Sequence, residues 1–332
     1  MHRRRFSAGL AFAAGTAPLA GHAQTAGRTA RVGFLTSGPP ETDSAMQRRP
    51  WNIEMRRLGW IEGQNMVAVR RYADGKPDRM PAFAQELIDA KVDVIVTVAS
   101  SDAEYARRLT SKLPIVTVYS GMDPVADGLI ASFARPGGNV TGVSRMLGET
   151  RAKRLELLKT LLPVVGRVGV LAPPLSASVG PQSQFQTSLR SAARALRIEI
   201  DFHWYRDQDE LLVLFPALAA AHTPAFLLEP TFQTFANRGR IAELAIQHRL
   251  PGVFTLREYA EAGGLMSYGP DFWSIERQIA QQVDRILRGA KAGELPMEQP
   301  TRFDLVLNRR TAKALGLVFA QALLQRAEEV IE

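Results

Sequence analysis

From residue 31 onward, short apolar runs alternate with stretches whose apolar positions recur every three or four residues. A run of four to eight Val, Ile and Leu residues reads as a strand buried on both faces, and a 3.6-residue period reads as an amphipathic helix. Strands are predicted at 31–36 (RVGFLT), 66–71, 92–98 (VDVIVTV) and 114–119, with helices at 45–58, 77–90, 101–111 and 124–134. Gly59 suits the C-cap of the first helix, and Pro77 the opening of the second. The rhythm then restarts. Helices are predicted at 150–162, 181–196, 208–221, 232–248 and 273–289, and strands at 167–172 (RVGVLA), 198–204, 225–228, 252–255 and 264–267.

Repeated strand–helix units imply parallel sheets covered by helices on both faces. The strands are too many for one comfortable sheet, and RVGFLT and RVGVLA each begin a block of similar length. The pattern therefore predicts an α/β chain of two similar lobes. Parallel sheets bind ligands at the carboxyl ends of their strands. The residues at those ends are Thr36, Ser37, Ser100, Ser101, Tyr119, Ser120, Asp123, Pro173, Glu229 and Thr255. Most are small and hydroxylated. Ser101 and Asp123 precede predicted helices, where they either cap free N–H groups or leave them to a ligand anion. Asp-Pro is also what a plain helix start looks like. Glu229 suits a ligand ammonium group, whereas Tyr119 and Tyr268 either wall a ligand or belong to the core.

The first 23 residues change the picture. Arg3-Arg4-Arg5 precedes an uncharged stretch from Phe6 to Leu19, and Gly21-His22-Ala23 closes it with small residues where a signal peptidase reads. This is the order of a cleavable export signal, of Sec or twin-arginine type, and the apolar run is too short to span a bilayer. With no Cys, the chain has neither a disulfide nor a lipid-anchor cysteine. The expected location is the periplasm. The net charge of +8 is spread along the chain rather than gathered in a basic face, which argues against a nucleic-acid partner.

Catalytic chemistry is hard to find. The sequence holds no GxSxG, HExxH or Walker loop, and His203, His222 and His248 lack partners at metal-ligand spacing. Gly137-Gly138-Asn139 lacks the lysine of a phosphate loop and reads as a tight turn. Gly263-Gly264 suits either a hinge or a turn.

The stretches GWIEGQN (59–65), DVIVTVAS (93–100), DPVADGLIASFARPGGNVTGVS (123–144) and LPMEQPTRFDLVLNRRTAKALGL (295–317), with the AEEVIE ending, resemble the ABC-transporter substrate-binding proteins of the tryptophan/tyrosine-binding type. The resemblance covers nearly the whole chain after the signal. It implies the type I periplasmic-binding-protein fold, in which two α/β lobes are joined by three crossing segments around a ligand cleft. The crossings are expected near 140–144, 257–264 and 297–303. The first lobe then takes 30–142 plus about 264–297, and the second takes 144–256 plus about 300–332. The resemblance places Ser37, Ser100, Ser101 and Asp123 on the cleft. Three features depart from it: Pro173 stands where an Asn-Pro loop is usual, the Tyr119-Ser120 pair stands where small apolar residues are common, and the final helix, 318–332, lacks the usual proline pair before it.

The implied function is capture of a small polar or aromatic solute, such as an amino acid or organic acid, for delivery to an ABC permease of the inner membrane. No cofactor is implied, and a monomer is expected. Two alternatives stay open: a ligand sensor for a membrane kinase, and an exported enzyme using Asp123 and Glu229 as acid and base.

Overall fold

The computed structural model describes residues 28–332 apart from 41, 122 and 175–178. The export signal at 1–23 and the end of the loop after residue 172 lie outside the described residues. Two sheets organise the chain. The first contains β1 (Ala30–Thr36), β2 (Met66–Tyr72), β3 (Val94–Thr97), β4 (Ile115–Tyr119) and β5 (Val140–Ser144), all parallel, in the order β2-β1-β3-β4-β5. The second contains β6 (Arg167–Ala172), β7 (Glu199–Trp204), β8 (Phe226–Leu228), β9 (Gly252–Phe254), β10 (Met266–Pro270), β11 (Phe303–Asn308) and β12 (Glu329–Ile331). Its order is β12-β11-β10-β9-β8-β6-β7, and only the β10–β11 pairing is antiparallel. Counted from its own first strand, each sheet starts second, first, third, fourth, fifth. This is a doubly wound order whose ligand crevice falls between the first and third strands.

The helices are α1 (Asp43–Arg48), α2 (Pro50–Arg57), α3 (Met80–Asp89), α4 (Ser100–Leu109), α5 (Leu147–Leu161), α6 (Val179–Ala195) and α7 (Gln208–Ala220), followed by α8 (Phe232–Ala236), α9 (Arg238–Gln247), α10 (Arg257–Glu261), α11 (Phe272–Leu287), α12 (Arg309–Ala314) and α13 (Gln321–Leu324). Each sheet has apolar cores on both faces, as a parallel sheet requires. In the first lobe Val32, Val94, Val96, Val116 and Val118 pack under α2 and α11, while Leu35, Ile95 and Ile115 pack under α3 and α4. In the second, Val168, Val170 and Leu227 face α5 and α6, and Leu171, Phe226 and Leu228 face α7 and α9. Among the described residues no helix is long and apolar enough to cross a membrane.

The chain passes between lobes three times. After β5 it enters α5, which packs on α6, β9 and β10. After β10 it returns as α11, whose Ile275, Ile279, Val283 and Ile286 bury against the first sheet. Glu298 then bridges Val143 before β11 joins the second sheet. The second passage therefore falls between Pro270 and Phe272, not at 257–264. There α10 stays on β10 and β11, and the expected strand at 264–267 is β10, part of the second sheet rather than the first lobe.

Gln282, fully buried on α11, ties two of these passages together. Its Nε2 donates to Gly142 O (3.0 Å) and Pro296 O (3.2 Å), and its Oε1 accepts from Thr141 Oγ1 (3.2 Å). Gly142 is irreplaceable by size: its φ is +147°, and a Cβ there would lie 1.9 Å from the Thr117 carbonyl oxygen.

Candidate ligand cleft between the two sheets

The carboxyl ends of both sheets meet. Gly38, just past β1, lies against the Phe232 ring that opens α8, where a Cβ would sit 3.0 Å from ring carbons. Arg145, just past β5, reaches the other lobe: its guanidinium is within electrostatic reach of Glu229 and Tyr259 and lies 6.0 Å from the centre of the Phe272 ring, which opens α11 and packs against the second-lobe core.

On the first lobe, the hydroxyls predicted from sequence form a connected rim. Thr36 Oγ1 accepts from Gly38 N (3.1 Å) and turns the chain at the end of β1. Ser37 donates to Asp102 Oδ2 through its N (3.1 Å) and its Oγ (3.4 Å), and Ser101 Oγ donates to Oδ1 (3.3 Å). Ser100 and Ser120 hydroxyls lie 3.3 Å apart. Ala99, the cap of α4, has no side chain to offer the helix's first amides. Asp102 is buried on the first turn of α4 and joins the loops after β1 and β3. Burial pushes its carboxyl up to about 6, against the hydrogen bonds that lower it.

Other predicted residues sit apart from this rim. Asp123 is exposed; its Oδ1 accepts from Val125 N (2.8 Å) and Ala126 N (3.3 Å), capping a turn. No helix follows at 124–134. The segment is a series of turns, with Gly128 and Gly137 at positive φ, folded so that Ile130 packs beside Tyr119. The Tyr119 ring is buried there, and its hydroxyl donates to Asp127. Burial first, and then the Asp127 carboxylate, raise the Tyr119 pKa. Tyr268 lies in the middle of β10, stacked 6.1 Å from Phe303, rather than at a strand end.

On the second lobe, Glu229 follows β8 and is buried among cations. Its Oε2 accepts from Arg151 Nε (3.0 Å) and Nη2 (2.7 Å), and its Oε1 from Arg154 Nη2 (3.0 Å). Arg154 also donates through Nη1 to Leu228 O (3.2 Å). Burial would raise the Glu229 carboxyl, but the two guanidiniums override it and hold it at about 2. Glu229 is thus a counter-ion to α5 rather than a waiting acceptor for an ammonium group. With its oxygens so occupied and Asp123 capping a turn in the open, the two do not form an acid–base pair. Pro173, half-buried after β6, and Thr255, buried after β9, complete this rim, and Thr255 Oγ1 has no hydrogen-bond partner.

Sequence reasoning missed Asp102, Arg145, Arg151 and Arg154. Asp102 was legible as an acidic residue in the first turn behind Ser100-Ser101. Arg145 is the residue after a strand end, but the stretch before it reads as a crossing rather than as the fifth strand. Arg151 and Arg154 lie in a predicted helix as ordinary charges; only the fold shows that this helix buries them.

The chain belongs to the ABC transporter substrate binding protein family, whose model matches residues 55–331. A tyrosine-binding protein of Clostridioides difficile (strain R20291) is 24% identical over 260 residues, spanning 78% of this chain and 73% of that protein. Among solved structures, a conserved domain protein from Vibrio cholerae superposes with a TM-score of 0.81 at 25% identity, over 91% of this chain and all of that one. An ABC domain from Streptococcus pneumonia in complex with L-Trp superposes with a TM-score of 0.78 at 20% identity, over 91% and 100% of the two chains. The fold is that of the type I periplasmic binding proteins.

Proposed function

We propose that this chain is the solute receptor of an ABC importer. It captures a small amino acid or organic acid between its lobes and hands it to a membrane permease from the periplasmic side. One observation carries this reading: two sheets of the same winding order present their carboxyl ends to each other, and buried polar groups without partners lie at the junction. Such a cleft is mostly preformed and holds a ligand through a few placed polar groups. Here these are the Ser37, Ser100 and Ser120 hydroxyls, the first amides of α4, and the Arg145 and Thr255 side chains.

Closure about the three passages would bury the ligand and give the permease a distinct shape to read. Tyrosine and tryptophan, bound by the two relatives above, are natural first solutes to try. The test is a thermal-unfolding panel of the mature protein against amino acids, organic acids, nucleosides and sugars. A solute at a hundred times its dissociation constant stabilises a receptor by about 2.7 kcal/mol. A clear rise in Tm with one chemical class is the expected result, and no rise with any would contradict the reading.

A further inference from the structure

Arg145 is the anomaly of the cleft. It is 92% buried (8% exposed), yet its Nε and Nη2 have no hydrogen-bond partner. Burial of a guanidinium is normally accompanied by pairing, because an unpaired buried charge is costly. The neighbouring arginines follow that rule: Arg151 and Arg154 both bond Glu229. Glu229 accepts three bonds from Arg151 and Arg154 and none from Arg145, so among the described residues Arg145 has no carboxylate paired with it. Burial pulls the Arg145 pKa down to about 10, which still leaves it fully charged at neutral pH.

Position decides what that charge is for. Arg145 N donates to Tyr119 O (2.9 Å), which fixes the backbone to the first sheet, while the side chain extends to Phe272 and the second lobe. The free edge of the guanidinium thus lies where the two sheets meet, within electrostatic reach of Glu229 and Tyr259 on the second lobe.

Resting on the receptor reading, we propose that Arg145 is the anchor for a ligand carboxylate, so that the solute is a small carboxylic acid recognised through its anionic group. A planar guanidinium with Nε and Nη2 both free along one edge matches a carboxylate in a bidentate fork. The bound carboxylate supplies the counter-ion that Arg145 lacks. It also links a residue fixed to one lobe with a pocket formed by the other, so binding favours the closed arrangement.

The test is isothermal titration of matched acids and primary amides into the mature protein: L-tryptophan and L-tryptophanamide, L-leucine and L-leucinamide, benzoate and benzamide. Ribose and adenosine serve as neutral probes. The expected result is that at least one acid binds and its amide binds a hundredfold more weakly or not at all. Arg145→Met then loses the acid by a similar factor, and Arg145→Lys, which keeps the charge without the fork, falls between. An unchanged or raised Tm for Arg145→Met shows that the loss is not unfolding, and the acid–amide comparison needs no variant. Equal binding of acid and amide, or wild-type affinity in Arg145→Met, would overturn the proposal. If only ribose or adenosine binds, the carboxylate anchor falls and the receptor stands; if nothing in the panel binds, both fall.

Discussion

At the residue scale, the charged groups behind the cleft are structural before they are functional. Glu229→Gln would leave Arg151 and Arg154 buried without a counter-ion, a loss of about 3–5 kcal/mol in thermal or denaturant unfolding at pH 7. Because the folded-state pKa of Glu229 is depressed, its contribution is complete above its unfolded value and is lost as the pH falls through about 2. Asp102 has the opposite sign. Its folded pKa, about 6, exceeds the unfolded value, so its ionisation weakens the fold as the pH rises from about 4 to 6. Asp102→Asn should therefore gain on the wild type by an amount on the order of 2 kcal/mol as the pH is raised from 4 to 7, and a pH series of Tm values checks it. A gap that stays constant or narrows would refute the assignment. These two carboxyls also show what a sequence conceals. The hydroxyls Ser37, Ser100 and Ser120 were readable because they follow apolar runs. The partners that fix Glu229 and Asp102 come from 78 and 65 residues away, and no local pattern announces them.

At the element scale, most of the fold was legible because a parallel sheet needs continuous apolar runs. Arg167–Ala172 forms as read, and the other predicted strands differ by one to three residues at their ends. The misreadings have physical causes. The helix expected at 45–58 is split between Arg48 and Pro50, since proline cannot donate to the preceding turn. The helix expected at 232–248 likewise breaks at Asn237. The final helix is a single turn, α13, and the AEEVIE ending supplies β12, a three-residue strand made by pairing with β11. So short a strand has no periodicity of its own to detect. Neither does the role of α11, which leaves the second sheet to cover the first. Its anchor can be tested: Gln282→Leu keeps the volume but removes three hydrogen bonds, leaving the Gly142 carbonyl to Glu298 N and Thr141 Oγ1 to the Leu295 and Pro296 carbonyls, and should cost about 1–3 kcal/mol in denaturant unfolding. A neutral result would mean that water or backbone adjustment satisfies those groups.

At the scale of the whole molecule, the two-lobed plan followed from the repeated rhythm and the paired RVGFLT and RVGVLA starts. Its mechanics depend on how closely the lobes approach. Gly38 and Phe232 are in contact across the cleft, with no room for a side chain at Gly38 unless the ring gives way. Since the φ of Gly38 is not positive, Gly38→Val should fold normally while resisting closure. Its expected signature is a Tm close to wild type with affinity for the solute weakened roughly tenfold, about 1.4 kcal/mol. Unchanged affinity would show that the contact is not part of the closed state.

The most direct test of a ligand held between the lobes is hydrogen–deuterium exchange with and without the most stabilising solute. The account predicts protection in both lobes at once, at the strand-end segments 36–38, 99–103, 144–147, 229–232 and 255–258. Protection confined to one lobe, or centred on the hollow beside β7 lined by Arg190, Phe202, His203 and Trp204, would contradict it.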